Sequence, residues 1–405
     1  MAFRPSRQIG VGSVNISDLE KQYVMEVLNA NRLSAGPFMA RFEAEFARAH
    51  GSQFGVMCNS GTSALQIALA TLKAEGGWAD GDEVIVPAVT FIATSNIVLY
   101  NGLKPMFVDV DPVYYNIDPA KIEAKITPRT RAIIPVHLFG LPCDMDPILE
   151  ISERHELKVL EDSCETMFAR YKGKPVGSFG EIACFSTFSA HILVTGVGGI
   201  AVTQNPAYAI AMKSFMSHGR DSIYLNIEDD QVTDPEKLYK IVSSRFSFVR
   251  LGHSFRATEM EAALGLGQLS RKGQILKKRR ENAQFLSSAL EELEPGLQLP
   301  KAPPHSEHAF MVYPILINDA GIDREELVRN LEENLIETRY MLPLLNQPIY
   351  QKLFGDLERD YPVARKINRQ GIYIGCHPEL TADELDYMAS TIKAFAKERG
   401  KEFRI

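Results

Sequence analysis

Between residues 54 and 203, short apolar runs alternate with amphipathic ones at nearly regular spacing. "FGVMC", "DEVIVPA", "KPMFVDVD", "RAIIPVHLFG", "LKVLEDS", "EIACFSTF" and "GGIAVTQN" read as strands. "NSGTSALQIALATLKAEG", "FIATSNIVLYNG", "PAKIEAKI" and "MDPILEISERHE" read as the helices between them. Short strands that stay apolar on both faces, each followed by a helix, predict an α/β fold with a mostly parallel sheet. Two helices precede this block. Ser17 and Glu20 have capping-box spacing at the first, and Gly51 is placed to end the second.

After about residue 270 the texture changes. A long charged helix over roughly 271–293 is followed by the Pro-rich connector "PGLQLPKAPPHSEH", then by strand, helix, strand and a last helix capped by Thr381 and Glu384. The expected division is a large α/β unit, residues 1–270, and a smaller α+β unit, residues 271–405. Arg271, Lys272, Lys277, Lys278, Arg279 and Arg280 are expected to form one solvated helix face.

The 405 residues carry a formal charge of -7, which leaves no electrostatic footprint for nucleic acid or anionic lipid. No apolar stretch reaches membrane-spanning length, and the N-terminus lacks a signal-peptide core. Five scattered cysteines argue against a disulfide framework or a zinc site and fit a reducing, cytoplasmic setting.

In a sheet of this kind ligands bind beyond the carboxyl ends of the strands. "NSGTSAL" (59–65) sits at one such end: Gly61 permits close backbone approach, and Thr62 and Ser63 add hydroxyls where helix N–H groups can face a phosphate. Plain helix capping explains the same residues. Asp162 ends the buried strand in "VLEDSCE" and needs a partner, either a helix cap or the protonated nitrogen of a ligand ring. Glu165 follows three residues on. Ser186 ends "CFS", and His191 comes five residues later in "FSAHILVTGVGG". Phe91 could stack on a flat ring or pack in the core.

Taken in order, these stretches resemble the DegT/DnrJ/EryC1/StrS family, which comprises sugar aminotransferases and related dehydratases with the fold type I architecture of pyridoxal phosphate enzymes. "GPFMARFEAEFARAHG", "PVHLFGLPCDMD", "HGRD", "GHSFRATEMEAALGLGQL" and "ETRYMLPLLNQPIY" extend the resemblance over nearly the whole chain. It implies that Gly61, Thr62 and Ser186 hold the cofactor phosphate, Phe91 stacks on its ring, Asp162 pairs with its nitrogen, and Glu165 lies near its ring oxygen. His137 is implied to line the same cleft. It also implies a nucleotide-sugar substrate, an amino-acid amine donor for transaminating members, and a homodimer whose partner completes the site through the segment holding Ser254.

The sequence departs from the family pattern at several points. His191 occupies the position of the cofactor-anchoring lysine, Val197 that of a glutamate, and Ser254 that of an asparagine; residues 221–249 form an acidic, then basic, extra stretch. Imidazole cannot form the covalent link that a lysine amine forms, so pyridoxal or pyridoxamine phosphate would be held non-covalently. A subgroup with histidine here removes the 3-hydroxyl of nucleotide-linked 4-keto-6-deoxyhexoses. In that subgroup pyridoxamine phosphate condenses with the C4 ketone and the histidine moves the proton. The branch that adds an iron–sulfur cluster carries cysteines after the "HGRD" segment. Residues 217–375 contain none, so no such cluster is expected. The resemblance thus implies a 3-dehydratase using His191 and Glu165. An aminotransferase with histidine in place of lysine, a non-catalytic sensor or regulator, and an engineered lysine replacement stand as alternatives. Arg220, Arg250, Arg256 and Arg339 are candidates for a substrate diphosphate or for surface ion pairs.

Overall fold

The structure, a computed structural model, describes residues 3–221, 232–244 and 246–402. Much of the extra stretch 221–249 therefore lies outside the described residues. The strands of the first block are β1 (Phe54–Cys58), β2 (Glu83–Pro87), β3 (Lys104–Val108), β4 (Thr130–Ile133), β5 (Lys158–Asp162), β8 (Ile182–Ser186) and β9 (Gly199–Thr203). A two-residue hairpin, β6 (Arg170–Tyr171) and β7 (Lys174–Pro175), interrupts them. The sheet order is β1-β9-β8-β5-β4-β2-β3. Neighbours from β8 to β3 pair parallel, whereas β9 runs antiparallel to both β8 and β1. Six strands thus share one direction, and their carboxyl ends form a single edge.

The reversal of β9 sets where the chemistry sits. Because β9 turns back beside β8, the connector 187–198 has to lie on that same carboxyl edge, with Gly199 paired to both Cys58 and Ser186. A side chain at Gly199 would run into the backbone of Ser60 and Gly61, so only glycine lets the start of β9 touch the turn after β1.

The second sheet, β10 (Leu297–Gln298), β11 (Val312–Ile317), β12 (Thr338–Tyr340) and β13 (Gly371–Gly375), has order β10-β11-β13-β12 and is antiparallel throughout. The helices Lys272–Leu290, Arg324–Glu333 and Ala382–Glu402 contribute to its core. Ile9 joins this core too, through a parallel bridge to Ile336. The helix Glu259–Ser270 gives way to Lys272–Leu290 at Arg271, close to where the sequence texture changes. No described helix is long and apolar enough to cross a membrane.

Two expectations are corrected. "PAKIEAKI" forms two 3-10 turns, Pro119–Lys121 and Glu123–Lys125, in place of a helix. Of these eight residues Ile122 alone is buried, too little to offset the cost of nucleating a helix. The basic cluster is not one solvated face. Arg279 is 1 % exposed, Arg271 pairs with Glu20 at 3.0 Å, and Arg280 donates to the His308 carbonyl at 3.0 Å. Arg279 lies on the inward stripe of its helix with Ile275, Asn282, Ala283 and Leu286.

Candidate active site

Four parallel strands deliver polar groups to one edge. The turn after β1 opens the helix Gly61–Gly76. Ser60 caps it, accepting the Ser63 N–H at 3.0 Å, and Ser63 Oγ donates to Asn59 Oδ1 at 2.7 Å. The N–H groups of Gly61 and Thr62 have no intrahelical partner and point out of the helix start. Thr62 is exposed, while Gly61 is buried. A Cβ on Gly61 would lie 2.7 Å from Ser186 Cβ and 2.9 Å from Cys164 Sγ. The turn therefore presses directly on the end of β8 and on the segment after β5. Gly61→Ala is expected to cost about 1–3 kcal/mol of stability by overpacking. It should also weaken cofactor retention, read by thermal melting and by cofactor absorbance after gel filtration.

Asp162 ends β5 and is 4 % exposed. Its Oδ2 accepts from Thr94 Oγ1 at 2.7 Å, and its Oδ1 from the Cys164 N–H at 3.1 Å. Thr90 Oγ1 lies 2.8 Å from Thr94 Oγ1 and supports it. Burial raises the Asp162 carboxyl above its usual range, against these hydrogen bonds. No cationic side chain among the described residues forms an ion pair with it, so a buried carboxylate is left in want of a protonated partner. Thr94 went unread in the sequence, although it lies one turn along the helix from Phe91. Phe91 is the N-cap of the helix Ile92–Tyr100, and its ring is 57 % exposed, so it does not pack in the core.

Glu165 is half-buried, and its Oε2 accepts the Phe139 N–H at 2.9 Å. Burial pushes its carboxyl up to about 7, with the charge of Asp162 adding to the effect. His191 is half-buried on the connector. Its Nδ1 lies 3.1 Å from the Ser186 carbonyl oxygen. A carbonyl only accepts, so Nδ1 carries the hydrogen and, in the neutral ring, Nε2 carries the lone pair. Burial holds the imidazole down to about 4, with Arg279 contributing, so the ring is neutral near pH 7.

Gly61, Ser186, Cys164, Asp162 and His191 thus form one connected cluster. Thr62, Phe91 and Glu165 lie along the same carboxyl edge, whereas His137 and Ser254 do not face it. The His137 ring is fully buried, with Nε2 3.1 Å from Glu161 Oε2 and Nδ1 accepting the Cys143 N–H at 2.9 Å. It does not line the cleft. It anchors the edge from behind, where its own N–H donates to the Asp162 carbonyl at 3.0 Å. Ser254 is exposed and accepts from Arg256 Nη2 at 2.9 Å; among the described residues no side-chain hydrogen bond joins it to the cluster. Of the candidate arginines, Arg250 pairs with Glu75 at 3.3 Å and Arg339 pairs with Glu337.

The donor set fits a flat, phosphorylated pyridine cofactor. It offers a tight small-residue turn for an anion, a buried carboxylate for a ring N–H, and an exposed aromatic at the same edge. Fold and site together define a pyridoxal phosphate-dependent enzyme of fold type I. A model of the DegT/DnrJ/EryC1/StrS aminotransferase family matches residues 14–393, and the chain belongs to that family. It is 34% identical to the GDP-perosamine synthase of Caulobacter vibrioides over 388 residues, 95% of this chain and 97% of that protein. It is also 34% identical to the dTDP-4-dehydro-2,6-dideoxy-D-glucose 3-dehydratase of Saccharopolyspora spinosa over 377 residues, covering 90% of this chain and 81% of that one. Among solved structures it resembles E. coli GDP-4-keto-6-deoxy-D-mannose-3-dehydratase with bound hydrated PLP, with TM-score 0.85, 28% identity, and coverage of 95% of this chain and 99% of that chain.

Proposed function

We propose that this protein is a 3-dehydratase of a nucleotide-linked 4-keto-6-deoxyhexose, with pyridoxal or pyridoxamine phosphate bound non-covalently. The observation that carries the reading is the imidazole of His191, held neutral with Nδ1–H on the Ser186 carbonyl and Nε2 without a protein partner among the described residues. The N–H groups of Gly61 and Thr62 and the hydroxyl of Ser186 would hold the phosphate, Asp162 the ring N–H, and Phe91 the ring face. When bound, the cofactor supplies an amine conjugated to an electron sink. The neutral Nε2 of His191 carries the lone pair that would accept the proton from the reacting centre, and the protonated ring would then return it to the departing 3-hydroxyl so that water leaves. A protonated Glu165 donates a hydrogen bond toward the ring oxygen. No lysine amine stands at position 191 to recapture the cofactor covalently, which favours elimination.

The similarity to a perosamine synthase supports a second reading, amine transfer to the same class of keto sugar. Incubation with pyridoxamine phosphate and a 4-keto-6-deoxy nucleotide sugar separates the two. A 3-deoxy product supports the dehydratase; a stable 4-amino sugar overturns it in favour of the aminotransferase. Borohydride reduction in the presence of pyridoxal phosphate should leave no covalent adduct, and an adduct on any lysine would defeat the non-covalent reading.

The two shifted groups also give a pH signature. His191 works as a base only when deprotonated, so kcat/KM rises through about 4; Glu165 donates only when protonated, so kcat/KM falls through about 7. Glu165→Gln should remove the alkaline limb and leave the acid limb in place. An alkaline limb that persists in this variant counts against the role of Glu165.

We further propose a homodimer that places the Ser254 segment against the partner's site. Phe246 is 82% exposed and Leu251 is 96% exposed, with Phe248 and Val249 also uncovered directly before it. The five cysteines, all free, fit a cytoplasmic setting.

A further inference from the structure

The guanidinium of Arg279 lies behind the active-site connector. Its Nη2 donates to the His191 carbonyl oxygen at 3.0 Å. Its Nη1 donates to the carbonyl oxygens of Met311 at 2.7 Å and Phe310 at 3.2 Å, the two residues that lead into β11. The side chain is 1 % exposed, and no carboxylate among the described residues pairs with it. A buried cation without a counter-charge is a costly way to fill space, and an unbranched apolar side chain would serve packing better. What the cation adds is geometry. A planar fork of N–H donors reaches carbonyls on two separate segments at once, which neither an apolar side chain nor an ammonium point charge can do.

The rest of His191 is held locally. Its N–H donates to the Phe188 carbonyl at 2.9 Å, and its ring to the Ser186 carbonyl. These bonds fix the imidazole relative to β8 only. Among the described residues, Arg279 alone ties the residue by hydrogen bond to the segment leading into the second sheet. Its helix is in turn fastened there by the Cys376 thiol on the Arg279 carbonyl at 3.4 Å and by Asn282 Nδ2 on the His377 carbonyl at 2.8 Å. From the other side Gly12 presses on the neighbouring residue: a Cβ there would lie 2.7 Å from Ala190 Cα.

We propose that Arg279 is a positioning residue for His191, clamping the connector to the start of β11 so that Nε2 is presented to the reacting carbon. The proposal rests on His191 being the proton-transferring group. The charged side chains around the small cavity beside His191 are Arg271, Arg279 and Glu379, and the guanidinium at its carbonyl also disfavours a second positive charge on the ring.

The test compares Arg279→Met and Arg279→Lys by kinetics and by 15N-histidine NMR of the apoprotein, with the His191 signal assigned through His191→Asn. In Arg279→Met, kcat should fall about 100-fold, as expected for a reacting group displaced by about an ångström, with KM for the nucleotide sugar little changed. The His191 ring should titrate higher, because the contribution of the guanidinium is lost while burial, the larger cause, remains, and it should lose its single Nδ1–H tautomer. Arg279→Lys keeps the charge but cannot span both segments. It should keep the low titration and recover only part of kcat. A folded Arg279→Met with wild-type kcat, or with unchanged titration and tautomer, overturns the proposal. So does Arg279→Lys with full kcat, or failure of both variants to fold, which would mark Arg279 as structural only. A fully active His191→Asn would instead sink the proton-transfer reading. The NMR arm, read without substrate or cofactor, tells the two failures apart.

Discussion

Replacing His191 with asparagine is expected to lower turnover by about 100- to 10,000-fold while leaving the cofactor bound, because loss of a positioned acid–base group costs that much. Among the described residues the side chain's one hydrogen bond runs from Nδ1 to the Ser186 carbonyl. Asparagine can still donate there, so the connector should keep its path, and no strand ends in the altered residue. The decisive comparison is kcat against the dissociation constant of pyridoxamine phosphate, measured by absorbance. A large loss of cofactor affinity together with kcat would mean that His191 holds the group and does not merely act on it. The acid limb of the pH profile, set near 4 in the wild type, should vanish in this variant.

Asp162→Asn carries the other large effect. In the proposed site, without a lysine link, retention would fall to the phosphate turn and to this carboxylate. Removing one partner of a buried charged pair costs about 3–5 kcal/mol, so cofactor affinity should drop by a factor of roughly 150 to 5,000. Free of ligand, the variant should be at least as stable as the wild type. Asparagine can accept the Cys164 N–H with Oδ1 and donate from Nδ2 to Thr94 Oγ1, a hydroxyl that can also accept, and it no longer carries a buried charge. Raised apo melting temperature together with lost cofactor affinity is the expected pair of results. If affinity is unchanged, the ring nitrogen is not at Asp162. Thr94→Val is a milder companion, since it leaves one carboxylate oxygen without its donor, at a cost of about 1–3 kcal/mol.

Most of the fold was legible because each strand of the large sheet contains a short apolar stretch. Parallel strands covered on both faces leave no alternation to misread, and β1 to β5, β8 and β9 fall where such runs fall. Direction was harder to see. Nothing in "GGIAVTQN" says that β9 runs opposite to its neighbours, because a strand buried on both faces has the same composition in either sense. Asp162 and Ser186 stood out as polar residues at strand ends, and His191 as a histidine five residues beyond one. Their closeness depends on Gly61 and Gly199, whose missing side chains let three segments touch.

Other features were hidden for different reasons. His137 sits in the right motif but points into a pocket of backbone N–H groups that it shares with Glu161, which accepts from Gly177, Phe179 and Gly180. A sequence shows neither which way a side chain turns nor which amides converge on it. Arg279 was readable in principle. It falls four residues after Ile275 and seven before Leu286, on the stripe that faces inward, yet six basic residues within ten positions read as one exposed face. Periodicity was the better guide there than charge.

The backward run of β9 has one more implication. Residue 191 rides on a connector between two strands, whereas Asp162 and Ser186 belong to the strands themselves. In the site proposed above, grip and reactivity would therefore be carried by separable parts of the molecule. A scaffold divided this way can exchange its reactive side chain, amine for imidazole, without re-registering a single strand. One inherited socket can then serve as a workshop for different reactions on the same kind of sugar.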